Sequence, residues 1–455
     1  MAKQVEIDKK LPFLPGLPFV GSFSAFFNDR LNVFLKMAQL GDVSGAHLGP
    51  LTLVQLNKPE HVRLCLVEQG EKIRKPRSMH AIMKSPVSGR EGLFISEGAF
   101  HQRQRALMAP AFQPRHISAY ADTMVHYGES LQQDWQEGET VDLNREMTRL
   151  TMRIVGKVLF DTEIKDEADE LGAALTTSFG YAAYRLSNPF SLPLIWPTGR
   201  NLSERAAVRV LRDRIQQMID EHQSHPDGRT DFLSILLNTL YDDGGKMDRD
   251  QLMEECLVLF SAGHETTAST LMWCWWELLH HPKMYQRLQN EAEQVLQGRA
   301  PTYADLKQLP YTLQVFKEAM RLYPAGYVIT REAPKDFVVD GYRIPEGSLV
   351  FVSPYVLHRN PAFFPDPEKF DPERFTPERE KQVPRYAYIP FGAGPRICIG
   401  NYFALMEGQL LLATLAQRTN FSLLPGQSVY PDPKNNLTIR PSGPIKVAIT
   451  KRLIV

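Results

Sequence analysis

The stretch PFGAGPRICIG, Pro390 to Gly400, constrains this chain more than any other. It sets Cys398, one of four cysteines in 455 residues, among three glycines, with Arg396 two positions before it. Directly after comes IGNYFALMEGQLLLATLAQ, whose apolar residues recur at helical spacing. A cysteine acts as ligand or nucleophile through its thiolate, and a helix N-terminus favours that negative charge. Gly392, Gly394 and Gly400 tolerate backbone angles closed to other residues and let a flat ligand come close. Spacing alone leaves three readings: a buried structural cysteine, a nucleophilic thiol, or a glycine-rich phosphate loop. The phosphate reading is weakened because the loop lacks a Lys-Ser/Thr ending and is not a G-x-G-x-x-G after a strand. The nucleophile reading requires a histidine base brought up by the fold.

Around that loop the chain changes texture twice. A proline-rich lead-in is followed by DVSGAHLGPLTLVQLNKPEHV, short β-like runs broken by turns. From about Pro59 to about Leu322, apolar residues lie three and four apart, as in ERAAVRVLRDRIQQMIDEHQ. After Pro324 the pattern alternates again, and prolines then cluster through NPAFFPDPEKFDPERFTPE. No repeat and no linker-like break interrupts this, so the expectation is one domain over residues 1–455, mainly α with a smaller β-rich region. Lys+Arg and Asp+Glu balance at 52 each, which argues against nucleic acid as a partner. The cysteines show no paired spacing, the start has no signal-peptide core, and no apolar run reaches the roughly 18 residues of a membrane span. A cytoplasmic protein without a transmembrane anchor is expected.

Two further stretches stand out. In FKEAMRLYP, Glu318 and Arg321 are three apart and share a helix face. LVLFSAGHETTASTLMWCWW reads as a helix with an odd centre, where Gly263, Glu265, Thr266 and Thr267 sit amid apolar turns. Thr266 can bond back to the carbonyl of Ala262, which with Gly263 would open the helix and make room for a small ligand. His264 should point about 100° away around the helix and serve packing rather than ligation.

FGAGPRICIG resembles the cysteine-ligand signature of the cytochrome P450 family, F-x-x-G-x-R-x-C-x-G, at every fixed position. The resemblance implies the fold of that family, with haem b as cofactor and Cys398 as axial ligand of its iron. Phe391, Gly392 and Ala262 would then line the haem, and Arg396 would face a propionate. E-x-x-R, here Glu318 and Arg321, matches the family pair that joins the arginine of PERF, here Arg374, in a buried network holding the meander and the cysteine loop. AGHET matches the oxygen-activating pattern at Ala262, Gly263, Glu265 and Thr266, so Thr266 and Glu265 are implied to deliver protons to oxygen. In HQRQRALMAPAF, Arg105 fits a propionate-binding W-x-x-x-R/K pattern, whereas His101 stands where tryptophan is commoner. Arg331 in VITREAPKDF matches a strand arginine serving the other propionate.

The activity implied is a monooxygenase inserting one atom of O2 into a lipophilic substrate such as a fatty acid, terpenoid or steroid. The length is consumed by the haem domain, so electrons are expected from a separate protein of ferredoxin or flavodoxin type with its reductase. A peroxide-using or isomerising member, or a non-catalytic haem sensor, is the alternative. The substrate pocket is expected from Leu93 and Phe94, from Phe179 through Tyr181, Tyr184 and Phe190 to Trp196, and from Val328. Phe260 and Ala262 should form the wall nearest the iron. Arg185 is read as a surface residue rather than an anchor for a carboxylate.

Overall fold

The apolar spacing between Pro59 and Leu322 becomes helices packed on one another, and the alternating segments on either side become sheet. A computed structural model gives this fold and describes residues 9–452 apart from 71–72, 84–89, 165–166, 189–190, 227, 242 and 435–436. Helix α1 (Arg30–Leu40) precedes the hairpin of β1 (Val43–Leu48) and β2 (Leu51–Leu56). Then follow α2 (Gly98–Met108), α3 (Ala121–Asp134), α4 (Leu143–Phe160), α5 (Ala168–Ser187) and α6 (Gly199–Ser224). The centre is α7 (Arg249–His280), after which come α8 (Pro282–Leu296) and α9 (Pro310–Leu322). Strands β3 (Ile329–Glu332) and β4 (Leu349–Val352) and helix α10 (Asn401–Arg418) complete the frame. The sheet runs β1-β2-β4-β3, with β2 and β4 parallel and the outer pairs antiparallel. A smaller antiparallel sheet joins Thr140–Asp142, Lys446–Lys451 and Thr419–Leu423.

Helix α7 is 32 residues long, about 48 Å at 1.5 Å per residue, and runs through the core. Asp248 caps its start by accepting from Gln251 N at 2.9 Å, and Trp273 and Trp275 near its end are fully buried. Gly263 lets it press against α4: a Cβ there would lie 3.1 Å from Val155 Cγ2. The helix is continuous through Gly263 and Thr266, so the expected opening is absent, and room comes from the missing side chain.

The proline-rich meander between β4 and α10 has little regular structure, so its carbonyls need partners from elsewhere. Arg321, fully buried on α9, supplies them. Its Nη1 donates to His358 O at 2.9 Å and Pro367 O at 2.6 Å, and its Nη2 to Lys369 O at 3.0 Å. The remaining donors form a fork on Glu318 at 2.7 and 2.8 Å. Arg374 Nε lies 3.4 Å from the same carboxylate, and Arg374 Nη2 donates to Asp366 O at 2.8 Å. His358 then carries the network to the cysteine loop: its Nδ1 meets Arg321 O at 3.2 Å and its Nε2 accepts from Ile389 N at 2.9 Å. Burial pulls His358 down to about 3, which keeps Nε2 free to accept.

Arg321→Ala should therefore destabilise the protein by about 3–5 kcal/mol, because it leaves Glu318 buried and strips donors from three carbonyls. Chemical unfolding measures this. A loss under about 1 kcal/mol, as for an exposed pair, contradicts it.

Candidate functional site

The cysteine loop is closed by its own backbone. Cys398 N donates to Phe391 O at 2.9 Å, Gly392 N to Ile389 O and Ile397 N to Gly394 O, both at 3.0 Å. Gly392 and Gly394 have φ of +74° and +73°, and a Cβ on Gly394 would lie 2.0 Å from Leu66 O. These two positions require glycine. Gly400 has an ordinary φ of −93° and caps α10, so the backbone freedom expected of it is not used. The Cys398 side chain is accessible, but to an internal cavity rather than to bulk solvent. Burial pushes its thiol above the usual range, against the Gly400 N–H and Arg105, which pull it down.

Across that cavity stands α7. Val258, Leu259, Ala262, Gly263, Thr266, Thr267 and Thr270 line it, a stripe at helical spacing. Thr266 Oγ1 donates to Ala262 O at 3.0 Å, the back-bond expected from the sequence. Glu265 lies on another face. Its carboxylate is held by Arg440, whose Nε donates to Oε1 at 2.6 Å and whose Nη2 meets Oε2, and by Thr438 Oγ1 at 2.8 Å. One and two turns on, Ser269 Oγ and Trp273 Nε1 donate to Ile439 O at 2.6 and 3.1 Å. This face of α7 fastens the chain's C-terminal segment. Glu265, expected to act with Thr266 in proton delivery, is therefore turned about 100° around the helix from it and held by Arg440 and Thr438. His264 is buried, bonds along its own helix to Phe260 O at 3.1 Å and is pulled down by burial.

The cavity holds about 1060 Å³ and is walled mainly by apolar side chains. A second hollow, between Gln223, Leu236 and Met247, holds about 160 Å³ and includes none of these residues. At one side of the large cavity His101, Arg105, Arg331, Arg396 and Lys75 converge. Glu97 is the acid among them, and it is engaged by Arg396 and by Lys75 N, both at 2.9 Å. Arg331 is buried with Nε unpartnered. Burial, with Arg331 and Arg396 nearby, pulls Lys75 well below the usual lysine range. Burial and the same cations bring His101 down to about 4, so its ring is neutral near pH 7.

A thiol and a threonine hydroxyl on the wall of one apolar cavity, with crowded cations at its side, agree with what comparison finds. Residues 11–449 match the family model for cytochrome P450. The chain is a cytochrome P450. It is 36% identical over 440 residues to cyclooctatin synthase of Streptomyces melanosporofaciens, covering 95% of this chain and 94% of that one. It is 34% identical over 425 residues to cyclooctat-9-en-7-ol 5-monooxygenase of the same organism, covering 91% and 90%. Against pentalenene oxygenase of Streptomyces avermitilis it is 30% identical over 419 residues, 92% of each. It is thus a haem-iron monooxygenase acting on a lipophilic substrate. Among the described residues, no helix is long and apolar enough to cross a membrane.

The residues of this P450 fit a haem. The crowded cations have too little acid of their own, which suits a group carrying two carboxylates, and Phe391, Gly392, Ala262 and Cys398 share the cavity wall. Leu93, Phe94 and Val328 line it as expected. Phe260 does not: it is buried edge-on to Phe160, with centroids 5.9 Å apart. Phe179 and Tyr184 also lie off the wall. Tyr184 accepts from Asn188 at 3.0 Å beneath Arg200, and Tyr181 donates to Asn201 at 3.0 Å, so these rings join α5 to α6. Trp196 is exposed, and Phe190 lies outside the described residues. Arg185, read as a surface residue, instead lines the cavity and donates to Tyr181 Oη at 3.0 Å. Sequence reasoning missed Lys75, because one lysine within the basic run KIRKPRS carries no local signal of burial.

Arg440→Met should cost this P450 about 3–5 kcal/mol by stranding Glu265, whereas Glu265→Leu with Arg440→Met should recover most of it. Urea unfolding of both variants tests the assignment. A double variant as unstable as the single one overturns it.

Proposed function

We propose that this P450 holds haem b with Cys398 as the axial iron ligand and hydroxylates a cyclic terpenoid, taking electrons from a separate ferredoxin- or flavodoxin-type protein in the cytoplasm. The observation that supports it most is that Cys398 and Thr266 stand on the wall of one largely apolar cavity. The bound haem supplies the chemistry: O2 and two electrons enter, one oxygen atom goes to the substrate, and the other leaves as water with two protons. Arg105, Arg331 and Arg396 would neutralise its carboxylates, with His101 as a neutral hydrogen-bond donor and Lys75 beside them. Thr266 Oγ1 gives its own proton to Ala262 O, so its lone pairs are free to accept from water in the cavity. The Glu318, Arg321 and Arg374 network keeps the cysteine loop in register.

Relatives whose names carry cyclooctat-9-en-7-ol and pentalenene favour a cyclic terpenoid over a fatty acid. The whole chain is read as one haem domain, residues 1–455. One observation favours a second reading, turnover driven by peroxide: Glu265 is tied to Arg440 and not to the cavity. Product formed with NADPH and a redox partner, but not with hydrogen peroxide, selects the first.

Cys398→His should abolish the red-shifted thiolate band of the reduced protein under carbon monoxide, and persistence of that band refutes the ligand assignment. Thr266→Ala should retain haem yet release hydrogen peroxide in place of product. Electron-to-product coupling equal to wild type removes Thr266 from proton handling. Polycyclic terpenoids should shift the haem spectrum, and a response confined to small polar compounds ends the apolar-substrate reading.

A further inference from the structure

The cavity stripe of α7 starts at Val258 and Leu259. One turn earlier, off the cavity wall itself, α7 carries Glu255, fully buried, whose carboxylate takes two donors. Leu93 N donates to Oε2 at 2.8 Å, and Gln251 Nε2 donates to Oε1 at 2.8 Å while also reaching Glu91 O at 3.0 Å. The Leu93 amide belongs to the loop that carries Leu93 and Phe94 onto the cavity. That loop presses on α7 so closely that a Cβ at Gly92 would lie 2.6 Å from Val258 Cγ2. Ile95 N and Ser96 N both bond Gly92 O at 3.1 Å, so the turn moves as a unit. On its other side Lys75 Nζ bonds Phe94 O and sits 3.8 Å from the Phe94 ring centroid.

We infer that Glu255 is a positioning residue for substrate binding, which by clasping the Leu93 amide fixes where Leu93 and Phe94 close over the cavity. This rests on reading the cavity as the substrate site. A second consequence follows from burial, which raises Glu255 to about 7 against the Leu93 and Gln251 bonds, so both protonation states are populated near neutrality. As a carboxylate it accepts from both donors. Once protonated, one oxygen becomes a hydroxyl and a poor acceptor, and the clasp slackens. The native fold holds this proton more tightly than the unfolded chain, so stability falls as pH rises from the ordinary carboxylate range through about 7. Over the same interval the clasp tightens.

The surrounding charges are otherwise engaged. Glu254 pairs with Arg212 of α6 at 2.6 Å, and Glu91 faces His80 at 3.1 Å. Asp248 pairs with Arg90 at 2.8 Å. Tyr241 and Cys256 feel the Glu255 charge and are themselves raised by burial.

The test uses the haem-loaded full chain, with Glu255→Gln, Glu255→Ala and Glu91→Gln. One readout is the dissociation constant of a polycyclic terpenoid by haem spectral titration from pH 6 to 8. The other is hydrogen exchange of the 91–96 segment, corrected for the intrinsic rate. Wild type and Glu91→Gln should bind more tightly as pH rises, with a midpoint near 7. Glu255→Gln should lose that midpoint, and Glu255→Ala should weaken binding about tenfold to a hundredfold, the worth of one hydrogen bond to a charged group. Glu255→Ala should also speed Leu93 exchange at every pH while α10 exchanges as in wild type. Wild-type exchange at Leu93 in Glu255→Ala, or a shared pH profile in wild type and Glu255→Gln, overturns the inference. If Glu255→Ala fails to fold, the pH profile of Glu255→Gln decides. If no lipophilic compound binds, the reading of the cavity fails, and Leu93 exchange alone then decides the clasp.

Discussion

The guanidinium of Arg321 uses every one of its N–H groups, and the long irregular segment of the chain depends on it. A buried segment without ladder hydrogen bonds carries unpaired carbonyls, each costly to desolvate. Three of those carbonyls, His358, Pro367 and Lys369, are met by one side chain. A buried cation is itself unfavourable, and Glu318 three residues earlier compensates for it through a bidentate fork. Burial raises Glu318 while Arg321 and Arg374 hold it down, so the carboxylate exists as such only with its partners. Because His358 bonds both the Arg321 carbonyl and the Ile389 amide, α9 sets the height of the loop that presents Cys398.

What the sequence disclosed followed from how local each signal is. Gly392, Gly394, Cys398 and the helix after them are contiguous, and Glu318 with Arg321 is a one-turn pair; both patterns survive folding unchanged. Thr266 was legible for the same reason, its acceptor being four residues back. Glu265 was not, since its partner Arg440 is 175 residues away and nothing near it in sequence announces an arginine. The 100° rotation that sets His264 apart from the ligand face applies equally to Glu265, and that signal was present. Tyr184 and Phe260 show a different limit. An aromatic residue on an amphipathic helix packs against whichever neighbour the fold supplies, here Arg200 of α6 or Phe160 rather than the cavity.

Helix α7 reconciles two demands through its period. Its cavity face carries small and β-branched residues, Ala262, Gly263, Thr266 and Thr267, of which the glycine and the threonines are weak helix formers that give room and a hydroxyl. The back-bonds of Thr266 and Thr270 satisfy their own hydroxyls along the helix, and Thr267 meets the buried Glu407. The adjacent face compensates for the weak propensity with long-range ties at Glu265, Ser269 and Trp273 to the C-terminal segment. A helix weakened for the site on one side is anchored on the other, 100° away.

The cations at the site's edge make a complementary argument about where binding energy goes. Burying Lys75, Arg331 and Arg396 together is unfavourable, as their depressed pKa values record, and Glu97 offsets only part of it. The fold tolerates that repulsion because other terms, α7 packing and the Arg321 network among them, stabilise the frame around it. On the proposed reading a ligand with two carboxylates would relieve the repulsion while Cys398 would meet its metal as a thiolate, so each half of the site would raise affinity for the same group. Any ligand bound by the folded chain and not by the unfolded one adds its binding free energy to stability. On the proposed reading the haem would be coupled to the fold through the cations and through the sulfur of Cys398, and the loop geometry fixed by Arg321 would let both contacts form at once.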